Sequence, residues 1–193
     1  MTSLSVATID QERIRRAVTE LIAAIGENPA REGLIGTPNR IAEMYEEIFS
    51  GLHKDPLEEL AVGFEEGHRE MVILKNIPFY SMCEHHFLPF YGEAALGYIP
   101  SGRVVGISKL ARVVDVLAKR PQLQERLTTQ IADSIAYALQ PAGVAVVVHA
   151  EHLCMTMRGV KKPGANMITS AVRGTFEASP LTRAEFLSLL QAK

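Results

Sequence analysis

The chain reads as an α+β protein in which a helical extension precedes a sheet-forming domain. Three features point there. Apolar residues recur at helical spacing near the start of the chain. Two strand-like runs then come before a pair of helical stretches, and two more come after it. The order β-β-α-α-β-β sets two hairpins around a helix pair, unlike the strand–helix alternation of a doubly wound sheet. The extension is assigned residues 1–68 and the sheet-forming domain residues 69–193.

Each element has a local reason. Ile14, Ala17, Val18, Leu21, Ile22 and Ile25 share a helical face, with Asp10 as N-cap and Gly26 as stop, which predicts a helix over residues 10–25. Residues 28–36 are turn-rich. Thr37-Pro38 then supplies an N-cap and a proline at the first helical position. Ile41, Met44, Tyr45 and Ile48 carry this second helix to Gly51. Residues 51–68 read as irregular, with one helical turn after Pro56. Met71, Ile73 and Ile77 predict a strand broken by Pro78, and residues 90–99 a second strand closed by Pro100-Ser101-Gly102. Ser108 is the expected N-cap for a helix bearing Leu110, Val113, Val114 and Leu117. Pro121 interrupts it, because the residue before a proline avoids helical geometry. Leu123, Leu127, Ile131 and Ile135 form the face of the next helix, which ends at Pro141-Ala142-Gly143. A strand over residues 144–157, a Gly/Pro loop over 159–164 and a last strand over 167–176 follow. Thr182-Arg183-Ala184-Glu185 resembles a capping box for a terminal helix.

Composition narrows the class. Of the 193 residues, 47% are apolar and 22% charged, enough to bury a core without covalent staples. The 20 basic and 22 acidic residues leave a net charge of −2, so no global field draws nucleic acid. Residues 1–9 lack the basic and apolar pattern of a signal peptide, and no apolar run approaches a membrane span, so a cytoplasmic protein with no membrane partner is expected. The two cysteines, Cys83 and Cys154, exclude a disulfide-rich scaffold and a four-cysteine metal module. They leave buried thiols, one disulfide or a mixed metal site.

The chemistry-bearing residues concentrate in two places, Cys83-Glu84-His85-His86 and His149 with His152-Leu153-Cys154. Cys83 and His86 have the C-x-x-H spacing that offers two donors to one ion. In a strand, His152 and Cys154 would share a face. Cys83, His86 and Cys154 together make a donor set suited to zinc, with a fourth position open. A thiol nucleophile served by His85 or His152 is a competing reading, and isolated cysteines are most often core residues. Lys109 and Arg112 lie three apart at the start of a helix, and Arg158, Lys161 and Lys162 follow the second cluster. These suit anion binding, although charge clusters are usually solvated faces. Neither nucleotide-binding glycine motif occurs. Glu125 reads equally as a first-turn helix residue or as a carboxylate anchoring a base edge.

Several longer motifs resemble the GTP cyclohydrolase I family. They are Ser81-Met82-Cys83-Glu84-His85-His86, residues 106–112 (GISKLAR), residues 120–128 (RPQLQERLT), residues 152–159 (HLCMTMRG) and Thr37-Pro38-Asn39-Arg40-Ile41-Ala42. Together they cover about residues 10–190 in order. The resemblance implies the tunnelling fold, an antiparallel sheet with two helices on one face, and a decamer of two stacked pentamers with active sites between subunits. It implies conversion of GTP and water to 7,8-dihydroneopterin triphosphate and formate, on the way to tetrahydrofolate or another pterin. By the same resemblance Cys83, His86 and Cys154 hold Zn(2+). His85 protonates N7 of guanine, His152 is the second acid–base group, and Ser108 lies near the ribose. Glu125, with Gln124 beside it, takes the guanine N–H groups. Lys109, Arg112, Arg158 and a neighbouring subunit's Arg40 bind the triphosphate. One turn after Arg40 this chain has Glu43, where some members carry a basic residue. A thiol-based enzyme of the same fold acting on a pterin or deazapurine, and a non-catalytic nucleotide-binding module, are the alternatives.

Overall fold

The computed structural model describes residues 8–192, so most of the stretch read as free of a targeting signal lies outside it. Helix α1 (Gln11–Ala24) starts where Asp10 accepts a hydrogen bond from the Arg13 N–H at 3.0 Å. Helix α2 (Thr37–Ile48) carries Pro38 in its first turn, but Gly36 holds the cap position. Thr37 is therefore inside the helix, and its hydroxyl accepts from Arg40 at 3.0 Å instead of capping. The two helices pack on each other. The expected turn after Pro56 is α3 (Pro56–Leu60), capped by Asp55, and it buries Leu60 completely in the main core. Two short strands went unread, β1 (Gly63–Glu65) and β4 (Arg103–Val105), which pair antiparallel. Three residues are too few to show a period.

The central sheet has five strands in the order β5-β2-β3-β6-β7. They are β5 (Pro121–Gln122), β2 (Val72–Cys83), β3 (Pro89–Ile99), β6 (Gly143–His152) and β7 (Asn166–Gly174). All pairs are antiparallel except β2 with β5, which meet in parallel at Met82 and Cys83. Contrary to expectation, Pro78 does not end its strand. At Pro78 strand β2 has β3 as its neighbour, and β5 joins only at Met82 and Cys83, so a missing N–H on the open side is tolerated. The irregularity falls earlier, between Leu74 and Ile77, where Asn76 has φ +57°.

Helices α4 (Ile107–Ala118) and α5 (Gln124–Leu139) lie on one sheet face, so the expected ββααββ architecture is present. Val144, Val146, Val148 and Ala150 of β6 alternate toward Leu110, Val113, Val114, Leu117, Leu127, Ile131 and Ile135 in one buried cluster. Each of these valines, leucines and isoleucines contributes about 1.5–3 kcal/mol on burial. Ala145 and Val147 point the other way, toward Phe176 of α7 (Thr175–Ala178) and Phe186 of α8 (Pro180–Gln191). A Cβ on Gly97 would sit 2.9 Å from the Phe186 ring, so glycine there lets α8 approach.

Three local readings need correction. Gly106, not Ser108, caps α4, and Ser108 lies in its first turn. Ser179, not Thr182, caps α8, accepting from the Thr182 N–H at 3.2 Å. The strand expected over 144–157 stops at His152 and turns into α6 (Leu153–Thr156). The valines end at Val148, and leucine and methionine then favour a helical turn.

Candidate active site

Cys83 closes β2 and opens a tight turn. Its carbonyl accepts from Phe87 N–H at 2.8 Å and from His86 N–H at 3.4 Å, which folds His86 back over the cysteine. Phe87 takes φ +51° to return the chain to β3. The turn is tied sideways by Glu84 N–H to the Gln122 carbonyl of β5, at 3.1 Å. Cys154 arrives from the far side of β3, since Phe90 pairs in register with His152 at the end of β6.

The donor atoms of Cys83, His86 and Cys154 lie within 4.8 Å of one another. Ligands of a tetrahedral zinc stand roughly 3.5 Å apart, so small side-chain adjustments close this set around an ion. Two soft sulfurs and one imidazole suit zinc. Cys154 reaches this position on the helical turn of α6, so the expectation that it shares a strand face with His152 does not hold. Burial, then the neighbouring Cys83, push the Cys154 thiol up from its ordinary range. A free nucleophile needs the reverse.

His152 is engaged elsewhere. Its Nε2 lies 2.8 Å from Gln124 Oε1. Its ring stacks on Phe90, with centroids 4.6 Å apart and planes 1° from parallel. Burial lowers its pKa from the ordinary value, and the nearby Glu125 charge opposes that. Gln124, expected at the guanine, is 1% exposed, and the two hydrogens of its amide nitrogen are shared among the Val148 and Met167 carbonyls and the Thr169 hydroxyl. His85 is exposed beside His86.

Glu125 is exposed on the first turn of α5. The next residue, Arg126, grips Glu84 with both terminal nitrogens, at 2.5 and 3.1 Å. That bidentate contact holds the Glu84 carboxyl below its usual range. Lys109 and Arg112 come together on α4 and share one carboxylate, Glu59 of α3, at 3.3 and 3.6 Å. Ser108 and Arg158 are exposed, as are Lys161 and Lys162. Arg158 is close enough to favour the Cys154 thiolate. Arg40 is exposed on α2, bonded to the Thr37 hydroxyl and the Gly33 carbonyl.

Sequence reasoning missed Glu59, Phe90 and Arg126 as parts of this neighbourhood. Glu59 sits in a stretch read as irregular, and neither aromatic stacking nor a cross-element ion pair leaves a periodic trace. Arg120, singled out within a motif, turns out to be a brace. It donates to the carbonyls of Gly51 and Lys54 at 2.9 and 2.7 Å, and burial lowers its pKa.

Comparison with known proteins identifies the family. A profile of the family described as GTP cyclohydrolase I matches residues 14–191. GTP cyclohydrolase 1 of Dehalococcoides mccartyi (strain ATCC BAA-2266 / KCTC 15142 / 195) is 63% identical over 186 residues, covering 95% of this chain and 98% of that protein. The protein of the same name from Thermoanaerobacter pseudethanolicus is 59% identical, covering 96% of this chain and 99% of the relative. The Clostridioides difficile (strain 630) protein, also GTP cyclohydrolase 1, is 61% identical, covering 96% and 98%. Among solved structures, an archaeosine synthase QueF-Like in the apo form aligns over 54% of this chain and 93% of its own, with TM-score 0.41 and 23% identity.

Proposed function

The chain belongs to the GTP cyclohydrolase I family, and we propose that it opens the guanine imidazole ring of GTP at a zinc centre formed by Cys83, His86 and Cys154. The reaction consumes GTP and water and yields 7,8-dihydroneopterin triphosphate and formate. The observation that carries the site assignment is the convergence of two thiols and an imidazole from separate segments to within 4.8 Å. Zinc bound there supplies Lewis acidity and activates water near neutral pH.

The remaining roles fall to the chain's own side chains. His85, exposed beside a ligand, delivers a proton to N7 as the C8–N bond weakens. His152, held in place by Gln124 and Phe90, serves the later proton transfers of ring opening and formamide hydrolysis. Glu125 accepts from the guanine N–H groups, which selects the base, since a carboxylate deprived of donors is costly. Ser108 lies by the ribose. Lys109, Arg112 and Arg158 receive the triphosphate, joined by Arg40 of an adjacent subunit.

The assembly in this reading is a homodecamer of two pentamers, acting in the cytoplasm without nucleic acid or membrane partners. Exposed Tyr80, Ile107 and Ile168 support subunit contacts, with Tyr80 stacked on Tyr91 at 5.5 Å. Among the described residues no helix is long and apolar enough to cross a membrane. The helical extension over 1–68 and the catalytic domain over 69–193 are part of the same proposal.

Incubation with GTP, following the pterin chromophore and formate with and without a chelator, tests the reading. Formation of both, abolished by the chelator and restored by zinc, is the expected result. Turnover that survives complete metal removal would overturn the zinc assignment.

A further inference from the structure

Gln124 opens α5 with its side chain turned inward, 1% exposed. Its amide nitrogen faces the backbone carbonyls of Val148 and Met167, both at 3.0 Å, and the Thr169 hydroxyl at 3.2 Å. Backbone carbonyls only accept. Rotating the amide by half a turn would set its oxygen against two carbonyl oxygens, so the orientation is decided by chemistry. The surrounding hydroxyls agree. Thr128 donates to the Gln124 backbone carbonyl at 2.8 Å and lies 2.6 Å from Thr169, so Thr169 donates to Thr128, and its oxygen shares the two amide hydrogens with the Val148 and Met167 carbonyls. The ring of donors closes with one consistent polarity.

The consequence falls on His152. The amide oxygen left over lies 2.8 Å from His152 Nε2 and can only accept. We propose that Gln124 is a positioning residue that fixes the tautomer of His152, keeping hydrogen on Nε2 and leaving Nδ1 as the free ring atom. Stacking on Phe90 fixes the ring plane, so the two contacts together determine which atom is available and where. This rests on the reading of His152 as an acid–base group. It also moves Gln124 from the guanine site to the support of that histidine.

The first test uses the zinc-loaded wild-type enzyme. Solid-state NMR of protein labelled with [15N]histidine reports each ring nitrogen, and the His152 signals are assigned by their loss in His152→Asn. Hydrogen on Nε2 and a bare Nδ1 are expected in the neutral ring, and the opposite tautomer overturns the proposal. The second test is Gln124→Met, which keeps the volume and deletes the amide. At unchanged zinc content, kcat is expected to fall on the order of 100-fold, with KM for GTP within about twofold. A raised KM with kcat retained would place Gln124 at the substrate and overturn the proposal. If the variant does not fold, the wild-type spectrum still decides. Full turnover by His152→Ala would sink the acid–base reading while leaving the Nε2–H assignment to stand on the spectrum.

Discussion

Arg126 holds Glu84 by two parallel hydrogen bonds, at 2.5 and 3.1 Å, and so fastens the turn that carries Cys83 and His86 to the helix turn that carries Glu125. The contact thus links the turn holding two of the proposed metal ligands to the helix turn holding the proposed base-recognition carboxylate. Arg126→Met is expected to raise KM for GTP several-fold and to speed zinc loss to a competing chelator. The unfolding midpoint should shift little, because the pair is exposed. Unchanged KM and chelation rate would show that the two parts are held together by other contacts.

Cys154→Ser removes one of the two sulfurs. Metal analysis is expected to show zinc lost, and formate release should drop by at least about 100-fold. Turnover near the wild-type level in a zinc-free variant would rule out this donor set.

His85→Ala leaves the three donors intact. The expected protein retains a full complement of zinc while turnover falls on the order of 100- to 10,000-fold. Loss of zinc instead would mean that the division between ligand and proton donor is wrong.

Glu59 shares the two cations assigned to the triphosphate, at 3.3 Å from Lys109 and 3.6 Å from Arg112. An incoming triphosphate has to displace that carboxylate. Glu59→Gln is therefore expected to tighten inorganic triphosphate binding about fivefold, the scale of one surface ion pair. KM for GTP should fall with kcat unchanged. Weaker binding by calorimetry would instead assign Glu59 to holding the cations in position.

Removing the metal exposes two neighbouring thiols to each other. Aerated, zinc-stripped protein is expected to lose both free thiols as Cys83 and Cys154 pair, with recovery on reduction. An unchanged thiol count after prolonged aeration would show that the backbone keeps them apart.

Much of the architecture was legible because periodicity reports burial. Leu127, Ile131 and Ile135 recur at helical spacing, and all three are fully buried under the sheet. The donor set was legible for a different reason, since cysteine and histidine are scarce enough for their spacing to carry meaning. What escaped reading depends on partners distant in the chain. Pro78 looked like a stop because a proline's tolerance depends on which strand lies beside it. Cys154 looked like a strand residue because the β-branched run gives no sign of where α6 takes over. The motif containing Gln124 marked it as important, yet its burial beneath β6 and β7 was needed to show what it touches. Glu59 left no mark at all, being an ordinary glutamate in a five-residue helix.

The two borders of the sheet are not equivalent. Along β2 the outer side carries Pro78, and the strand itself is irregular at Asn76, where its register with β3 shifts, so its row of donors and acceptors is not regular. Along β7 the outer side has neither proline nor bulge over its nine residues, and among the described strands only β6 pairs with it. A regular unpaired border is a template for a further strand, whereas an interrupted one resists it. Growth of this sheet is therefore directional. The row along Asn166–Gly174 is thus the border of this sheet with the regular spacing that a further strand requires.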